Sequence, residues 1–150
     1  MLSNRLIQLA EDHREQIAAS AMQQIRREGE LLRMAKLPDS ELRDWARDIL
    51  KSLQSWTEPN QDEKLAKRYE DLGRRRVEES VPLHESVRAL HILKRAIIDF
   101  VRNQGFGPTS VDIYSEEELE HRVSLFFDWL LYHIARGHGA ASGWVPSQGH

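Results

Sequence analysis

The chain contains no cysteine, and this absence removes several classes of function. With none among 150 residues, disulfide bonds, zinc–thiolate sites and thiol catalysis are all excluded. Long apolar runs are also missing. Runs such as residues 125–127 reach only a few residues, whereas a transmembrane helix needs about 20. We therefore expect a protein that carries no disulfides and does not enter a membrane.

A strong charge of one sign is missing as well. The net charge at neutral pH is only −3, so the chain as a whole has no basic footprint typical of nucleic-acid binding. The three arginines at 74–76 do not change this, because successive helical residues are about 100° apart and cannot form one basic face. The N-terminal segment also acquires acidic residues too early for a signal peptide. We expect a cytoplasmic protein that does not bind nucleic acid.

Catalytic motifs are the third absence. The sequence has no glycine-rich phosphate loop, no nucleophile elbow and no His-Glu-x-x-His zinc motif. Residues 118–121 carry one Glu-x-x-His half-motif, but di-iron bundles need a second copy and two further inward glutamates. Since no second copy occurs, we expect a protein that is not an enzyme.

What is present favours one all-α domain. Hydrophobic residues make up 40% and charged residues 30%, and apolar residues recur at helical rather than strand spacing. The pattern predicts five helices, at about residues 3–32, 38–56, 61–79, 84–103 and 115–136. They fit a single domain over residues 1–136, as either a globin-like fold or a simple antiparallel helical bundle. The glycine-rich remainder, residues 137–150, is predicted to be a flexible tail.

Three local features carry more specific expectations. Gly73 lies inside the third predicted helix at a cost of about 1 kcal/mol relative to alanine, so we expect it to allow close approach of a neighbouring helix or to produce a kink. Glu85 falls on the polar arc of the fourth helix, opposite its apolar residues. Ser115 and Glu118 have the spacing of a capping box, which places the start of the fifth helix at Ser115.

The fifth predicted helix has two apolar stripes. The main stripe contains Val123, Phe126, Phe127, Leu130, Leu131 and Ile134. The second contains Leu125, Trp129 and Tyr132 and lies on nearly the opposite side. A helix with two apolar stripes is buried on two sides. In so short a chain, the second stripe is predicted to form a subunit interface.

Two stretches of the chain resemble a known family. The run LGRRRVEESVPLHESVRALHILKRAIIDF, residues 72–100, resembles the core motif of the N-terminal domain of RsbRD-type proteins. These are the co-antagonists of the bacterial stress-signalling switch kinase RsbT, and related helical modules precede histidine kinases and other output domains. The run LAEDHREQIAASAMQQI, residues 9–25, is similar to the first helix of that family.

The resemblance implies a sensory or regulatory domain that is dimeric and has no enzymatic activity of its own. In the wider co-antagonist group the N-terminal domains look globin-like, often without haem. The partners it implies are a second copy of the chain and a signalling kinase or output domain. Because no output domain follows these helices, we expect either a domain of a longer protein or a stand-alone relative.

Two cations on apolar helix faces are candidate ligand-binding residues. Arg76 closes the apolar file of the third helix, and Lys94 falls within the apolar arc of the fourth. Both could hold an anionic ligand or pair with an interior carboxylate, because burying an unpaired charge is prohibitive. Alternatively, their stems lie on apolar surface while the charged heads reach water.

Two histidines are candidates for a different ligand. His13 lies on the apolar stripe of the first helix and His91 at the edge of the apolar arc of the fourth, so either could ligate haem iron. The alternative is an ordinary hydrogen-bonded core histidine. The leading hypothesis is therefore a non-catalytic dimeric sensor that signals through helix shifts at its interface, with a globin-like sensor of haem or another small ligand as the alternative.

Overall fold

The computed structural model describes residues 2–56, 58–103 and 110–142, with the backbone alone for residues 2–4 and 110–115. The described residues form α-helices and one short 3₁₀ helix and contain no strand, which confirms the all-α prediction. The α-helices are α1 Leu2–Asp12, α2 Arg14–Arg27, α3 Asp39–Trp56, α4 Asp62–Glu78, α5 Leu83–Arg102 and α6 Ser110–Ala141, and the 3₁₀ helix is Met34–Lys36.

The prediction of one long first helix is wrong. The backbone leaves the helical conformation at His13, with φ −113° and ψ 28°, and α2 ends at Arg27. The imidazole Nδ1 of His13 lies 2.9 Å from the Leu9 carbonyl oxygen, which the backbone N–H of the same residue also contacts. The apolar stripe continues across the break, since Ala10 and Ile17 are both buried. Periodicity alone therefore could not reveal it.

The predicted bounds of the last helix are also wrong. Helix α6 begins at Ser110 and ends at Ala141, so Ser115 lies inside the helix and the capping box does not start it. The helix continues past Gly137, where the flexible tail was predicted to begin, because that glycine is packed against α4. The rest of the predicted tail, from residue 143, lies outside the described residues.

One hydrophobic core joins the helices. The predicted apolar faces of α3 and α5 are buried, including Trp45, Ile49, Leu90, Leu93 and Ile97. Buried residues of α1, α2, α4 and α6 belong to the same cluster. This continuity supports the single-domain prediction for the part of the chain that the structure describes.

Glu85 lies in the interior, which contradicts its placement on the polar arc of α5. It is only 3% exposed, and its Oε1 accepts hydrogen bonds from the backbone N–H groups of Arg33 and Met34, each at 2.9 Å. The carboxylate thus caps the first turn of the 3₁₀ helix, whose N–H groups have no partner within the turn. Angular position on α5 could not show this, because the acceptor and its donors are about 50 residues apart in sequence.

Helices α4 and α6 touch backbone to backbone. A Cβ atom at Gly73 would overlap the carbonyl oxygen of Ile134 and lie 2.8 Å from the backbone nitrogen of His138. A Cβ atom at Gly137 would overlap the carbonyl oxygen of Glu70. The expectation that Gly73 permits close approach of a neighbouring helix is therefore confirmed. Because only glycine lacks a Cβ, these positions set the separation of the two helices.

The two helices run in the same direction at this crossing. His133 Nδ1 lies 2.7 Å from Glu70 Oε2, and further along, His138 Nε2 lies 3.3 Å from the carbonyl oxygen of Val81. Residues later in α4 and in the turn after it therefore contact residues later in α6, as expected of helices that run in the same direction.

We predict that Gly73→Ala destabilises the protein. Overpacking costs about 1–3 kcal/mol, and a backbone carbonyl cannot move aside as a flexible side chain does. This outweighs the roughly 1 kcal/mol that alanine gains in helix propensity. Urea denaturation should show a lower free energy of unfolding.

Gly29→Ala is the matched control, because a Cβ there would meet no atom within 4 Å. It should change the free energy of unfolding by no more than about 0.5 kcal/mol. Equal effects of the two substitutions would contradict the close crossing of α4 and α6.

Candidate functional site

A cleft of about 370 Å³ lies between α3 and α4. Its lining residues are Ser40, Glu41, Asp44, Trp45 and Asp48 from α3 and Arg68, Tyr69, Leu72, Arg75 and Arg76 from α4. The charged residues of the α3 wall are all acidic and those of the α4 wall are all basic. The cleft is therefore polarised across its width.

Arg76 closes one end of the cleft. Its side chain is only 2% exposed, and its Nη1 donates to Glu79 Oε1 at 2.7 Å and lies 3.4 Å from Glu41 Oε1. Arg76 points inward, and its charge is paired with carboxylates as burial requires, while ligand binding by Arg76 stays a prediction. The alternative, in which its head reaches water, is wrong for this residue.

The two carboxyl groups beside Arg76 interact with each other, and their pKa values shift in opposite directions. The hydrogen bond to Glu79, together with burial, raises the pKa of Glu41 above its ordinary value. Burial acts to raise the pKa of Glu79, but the hydrogen bond from Glu41 and the Arg76 guanidinium outweigh it, so that pKa is lowered. When this pair of carboxyl groups holds one proton, the proton therefore lies on Glu41, and Glu79 is the anion that neutralises Arg76.

Buried side chains form the floor of the cleft, and an ion pair lies at its other end. The Tyr69 hydroxyl donates to Ser52 Oγ at 2.6 Å, and burial raises the pKa of Tyr69 to about 12. Trp45 is buried beneath the cleft. At the end opposite Arg76, Arg68 reaches across to Asp48 at 3.3 Å. The cleft is therefore a shaped space with apolar residues below and an ion pair at each end.

The other predicted ligand-binding residues, His91 and Lys94, do not join Arg76. They lie on α5, beside a shallow depression of about 300 Å³ that is also lined by Arg88, Arg95 and Ile98. His91 is exposed and Lys94 half-buried. The predicted residues therefore belong to two separate surfaces, and ligand binding by His91 and Lys94 stays a prediction.

The predicted interface residues of α6 divide into two kinds. Leu125 and Tyr132 are 47% and 58% exposed. Trp129 is half-buried, with its ring centroid 6.0 Å from that of Trp56 and 4.7 Å from that of His133. Two members of the stripe thus face outward, while the third connects the stripe to the core.

His13, the other candidate haem ligand, has contacts within the fold. His13 is half-buried, hydrogen-bonded to the Leu9 carbonyl, and its ring centroid lies 5.1 Å from that of Phe100. Within the residues that the structure describes, no group of three His, Asp or Glu side chains could hold a metal ion. The haem hypothesis gains no support from these placements.

Sequence reasoning missed the acidic half of the cleft. Glu41 lies in the first turn of α3, where acidic residues are common because they suit the helix dipole. Asp44 and Asp48 follow in the next turns of an amphipathic helix, where charged residues are expected on the solvent side. Their spacing of three and four residues does place them on one face of α3, which is the single signal available. Nothing local indicates which helix that face meets.

Comparisons with known proteins give one match. The family model described as the RsbT co-antagonist protein rsbRD N-terminal domain matches residues 15–142. No curated protein and no solved structure matches the chain.

We predict that Glu79→Gln and Glu41→Gln differ in their effect on stability. Losing Glu79 removes the nearer anion from a buried guanidinium and should lower the free energy of unfolding by about 2–3 kcal/mol. Glutamine at 41 can still donate to Glu79 and accept from Arg76, so that change should cost less than about 1 kcal/mol. Chemical denaturation at neutral pH measures both. Equal losses would contradict the assignment of Glu79 as the main partner of the Arg76 guanidinium.

The raised pKa of Glu41 also predicts a pH dependence. A carboxyl whose pKa is higher in the folded than in the unfolded protein holds its proton more tightly when folded. Its contribution to the free energy of unfolding is therefore absent at neutral pH and grows as the pH falls through the raised pKa towards the ordinary value of 4.5. The lowered pKa of Glu79 acts in the opposite sense, but below that value.

The side chain introduced by Glu41→Gln cannot titrate. As the pH falls, the wild type should therefore become more stable relative to this variant, as measured by the difference in their free energies of unfolding. Denaturation curves between about pH 4.5 and pH 7 measure this difference. A difference independent of pH would contradict the shared proton.

Proposed function

The chain belongs to the family of RsbT co-antagonist protein rsbRD N-terminal domains, and from this membership we propose that it signals as a non-catalytic homodimer. The family is one of stress-signalling regulatory domains. The proposed dimer transmits a signal by shifting helices at its interface, and its target is a signalling kinase or an output domain. The proposed location is the cytoplasm.

The exposed stripe of α6 is the single observation that carries the dimer. This exposed stripe differs from the predicted one by leaving out the half-buried Trp129. It consists of Leu125, Asp128, Tyr132 and Arg136, which recur at helical spacing and are all exposed. Two large apolar side chains on an exposed helix face favour burial against a partner. No described residue of the same chain forms an ion pair with Asp128 or Arg136.

The charges of the stripe suit a second copy of the chain. A two-fold interface brings the same patch together twice, so a residue on one copy contacts a different residue on the other. An antiparallel pairing of two α6 helices can therefore set Asp128 of each protomer against Arg136 of its partner. Such pairing would add specificity to the apolar contact of Leu125 and Tyr132.

Helix α6 also offers a route from the interior to that interface. Its inner side is held against α4 at Gly73 and Gly137, and Trp129 connects the exposed stripe to the ring of Trp56 on α3. Two backbones in contact cannot slide independently. A displacement of α4 would therefore move α6, and with it the surface that the partner contacts.

Membrane attachment through a spanning helix has no support in the described residues, since none of their helices combines the length and apolarity needed to cross a bilayer.

We predict that the double change Leu125→Ser and Tyr132→Ser weakens dimerisation. Removing both apolar contacts should raise the dissociation constant of the dimer at least about tenfold, equivalent to about 1.4 kcal/mol. Sedimentation equilibrium at micromolar protein concentration measures the change directly.

Leu32→Ser is the matched control. Leu32 is also a large exposed apolar residue, 66% exposed, but it follows α2 and lies outside the stripe. Its substitution should leave the dissociation constant unchanged. A wild-type protein that sediments as a monomer, or a control that dissociates as readily as the double variant, would refute the proposed interface.

A further inference from the structure

In the cleft between α3 and α4, one helical turn has no ion pair between the two walls among the described residues. The two helices run antiparallel across it, because Asp48 pairs with Arg68 at 3.3 Å and Glu41 approaches Arg76 at 3.4 Å. Asp44 lies between the two acidic residues on α3. The corresponding position on α4, between the two arginines, is Leu72. The carboxylate of Asp44 therefore faces an apolar residue where the neighbouring levels have a cation.

A basic residue lines the α4 wall about one helical turn from this level. Arg75 lines the cleft beside Leu72, is exposed, and has no described carboxylate within ion-pair distance, while its charge helps to lower the pKa of Glu79. Within the described residues, Asp44 forms its ion pair with Arg47 of its own helix, at 3.5 Å. One anion and one cation thus line opposite walls of the same cleft without pairing with each other.

Two apolar side chains also line the cleft. Trp45 and Leu72 both line the cleft, the first buried and the second half-buried. A ligand that suits this arrangement carries an ammonium group, a carboxylate and an apolar body. Free α-amino acids with apolar side chains have these groups on adjacent atoms, and a guanidinium binds a carboxylate through two parallel hydrogen bonds.

The space is adequate for such a molecule. The cleft has a volume of about 370 Å³, at the lower end of the range typical of small-molecule sites. Its two ends are closed by the ion pairs already described, so the ligand would occupy the middle.

We propose that this cleft binds a free α-amino acid with an apolar side chain, whose ammonium group contacts Asp44 and whose carboxylate contacts Arg75. The ligand would join α3 to α4 at the level where the helices lack a bridge. It would give the regulatory domain proposed above an input, and in that respect the inference rests on the proposed function. Since α4 is held against α6, occupancy of the cleft would bias the position of α6.

L-Leucine and two analogues test the charge requirement. 4-Methylpentanoate lacks the ammonium group and 3-methylbutan-1-amine lacks the carboxylate, while both keep the apolar body. Binding to the full chain is measured by saturation-transfer NMR titration. Leucine should bind, and each analogue should bind at least about tenfold more weakly, because each leaves one wall of the cleft unpaired.

Substitutions of the two charged residues test the location of the binding site. Arg75→Gln and Asp44→Asn should each reduce leucine affinity at least about tenfold. Arg74→Gln is the matched control, because Arg74 is the exposed neighbour on α4, pairs with Asp71 and does not line the cleft. It should bind leucine as the wild type does. Thermal melting of each variant checks that these surface changes leave the fold intact.

Three results would overturn the inference: no binding of leucine, equal binding of leucine and either analogue, or equal affinity in Arg75→Gln and Arg74→Gln. Sedimentation of the same samples separates the two proposals. Leucine binding by a monomeric protein would retain the ligand site while removing the dimer. A dimer that binds no leucine would retain the proposed interface while removing the ligand site.

Discussion

The backbone contact between α4 and α6 is the constraint on which the rest of the structure depends. At Gly73 and Gly137 each helix occupies the space that a side chain of the other would need. Such contact fixes the separation of the helices more tightly than interlocking side chains can, because backbone atoms have no alternative rotamers. Helix α6 is thereby attached along its inner side, and its outer side remains free for another partner.

Polar interactions in the interior fix the other helices relative to this pair. Arg76 of α4 is neutralised by Glu79 at the end of the same helix and approached by Glu41 of α3, while Glu85 of α5 caps the 3₁₀ helix that precedes α3. The contacts of Glu41 and Glu85 join segments that are far apart in sequence. A buried charge without its partner is costly, so these pairs select one arrangement of helices among those that would bury the same apolar surface.

The same geometry explains why a regulatory role suits the fold. Helix α4 has the polarised cleft on one side and α6 on another, so it lies between the proposed ligand site and the proposed dimer surface. Within the described residues, Trp129 provides a second connection, from the exposed stripe to the aromatic ring of Trp56. Both connections are direct side-chain or backbone contacts, as transmission between sites by a packed helix requires.

The sequence by itself determined the helical class, the bounds of α3, α4 and α5, most of the buried faces and the role of Gly73, because helical periodicity and the cost of glycine are local properties. It also carried the family resemblance. Only the tertiary structure decided that the first helix breaks at His13, that Glu85 turns inward and that Arg76 meets Glu41, 35 residues away in sequence. These features depend on which helix faces meet, and the spacing of residues within one helix does not specify the neighbour that a polar group finds.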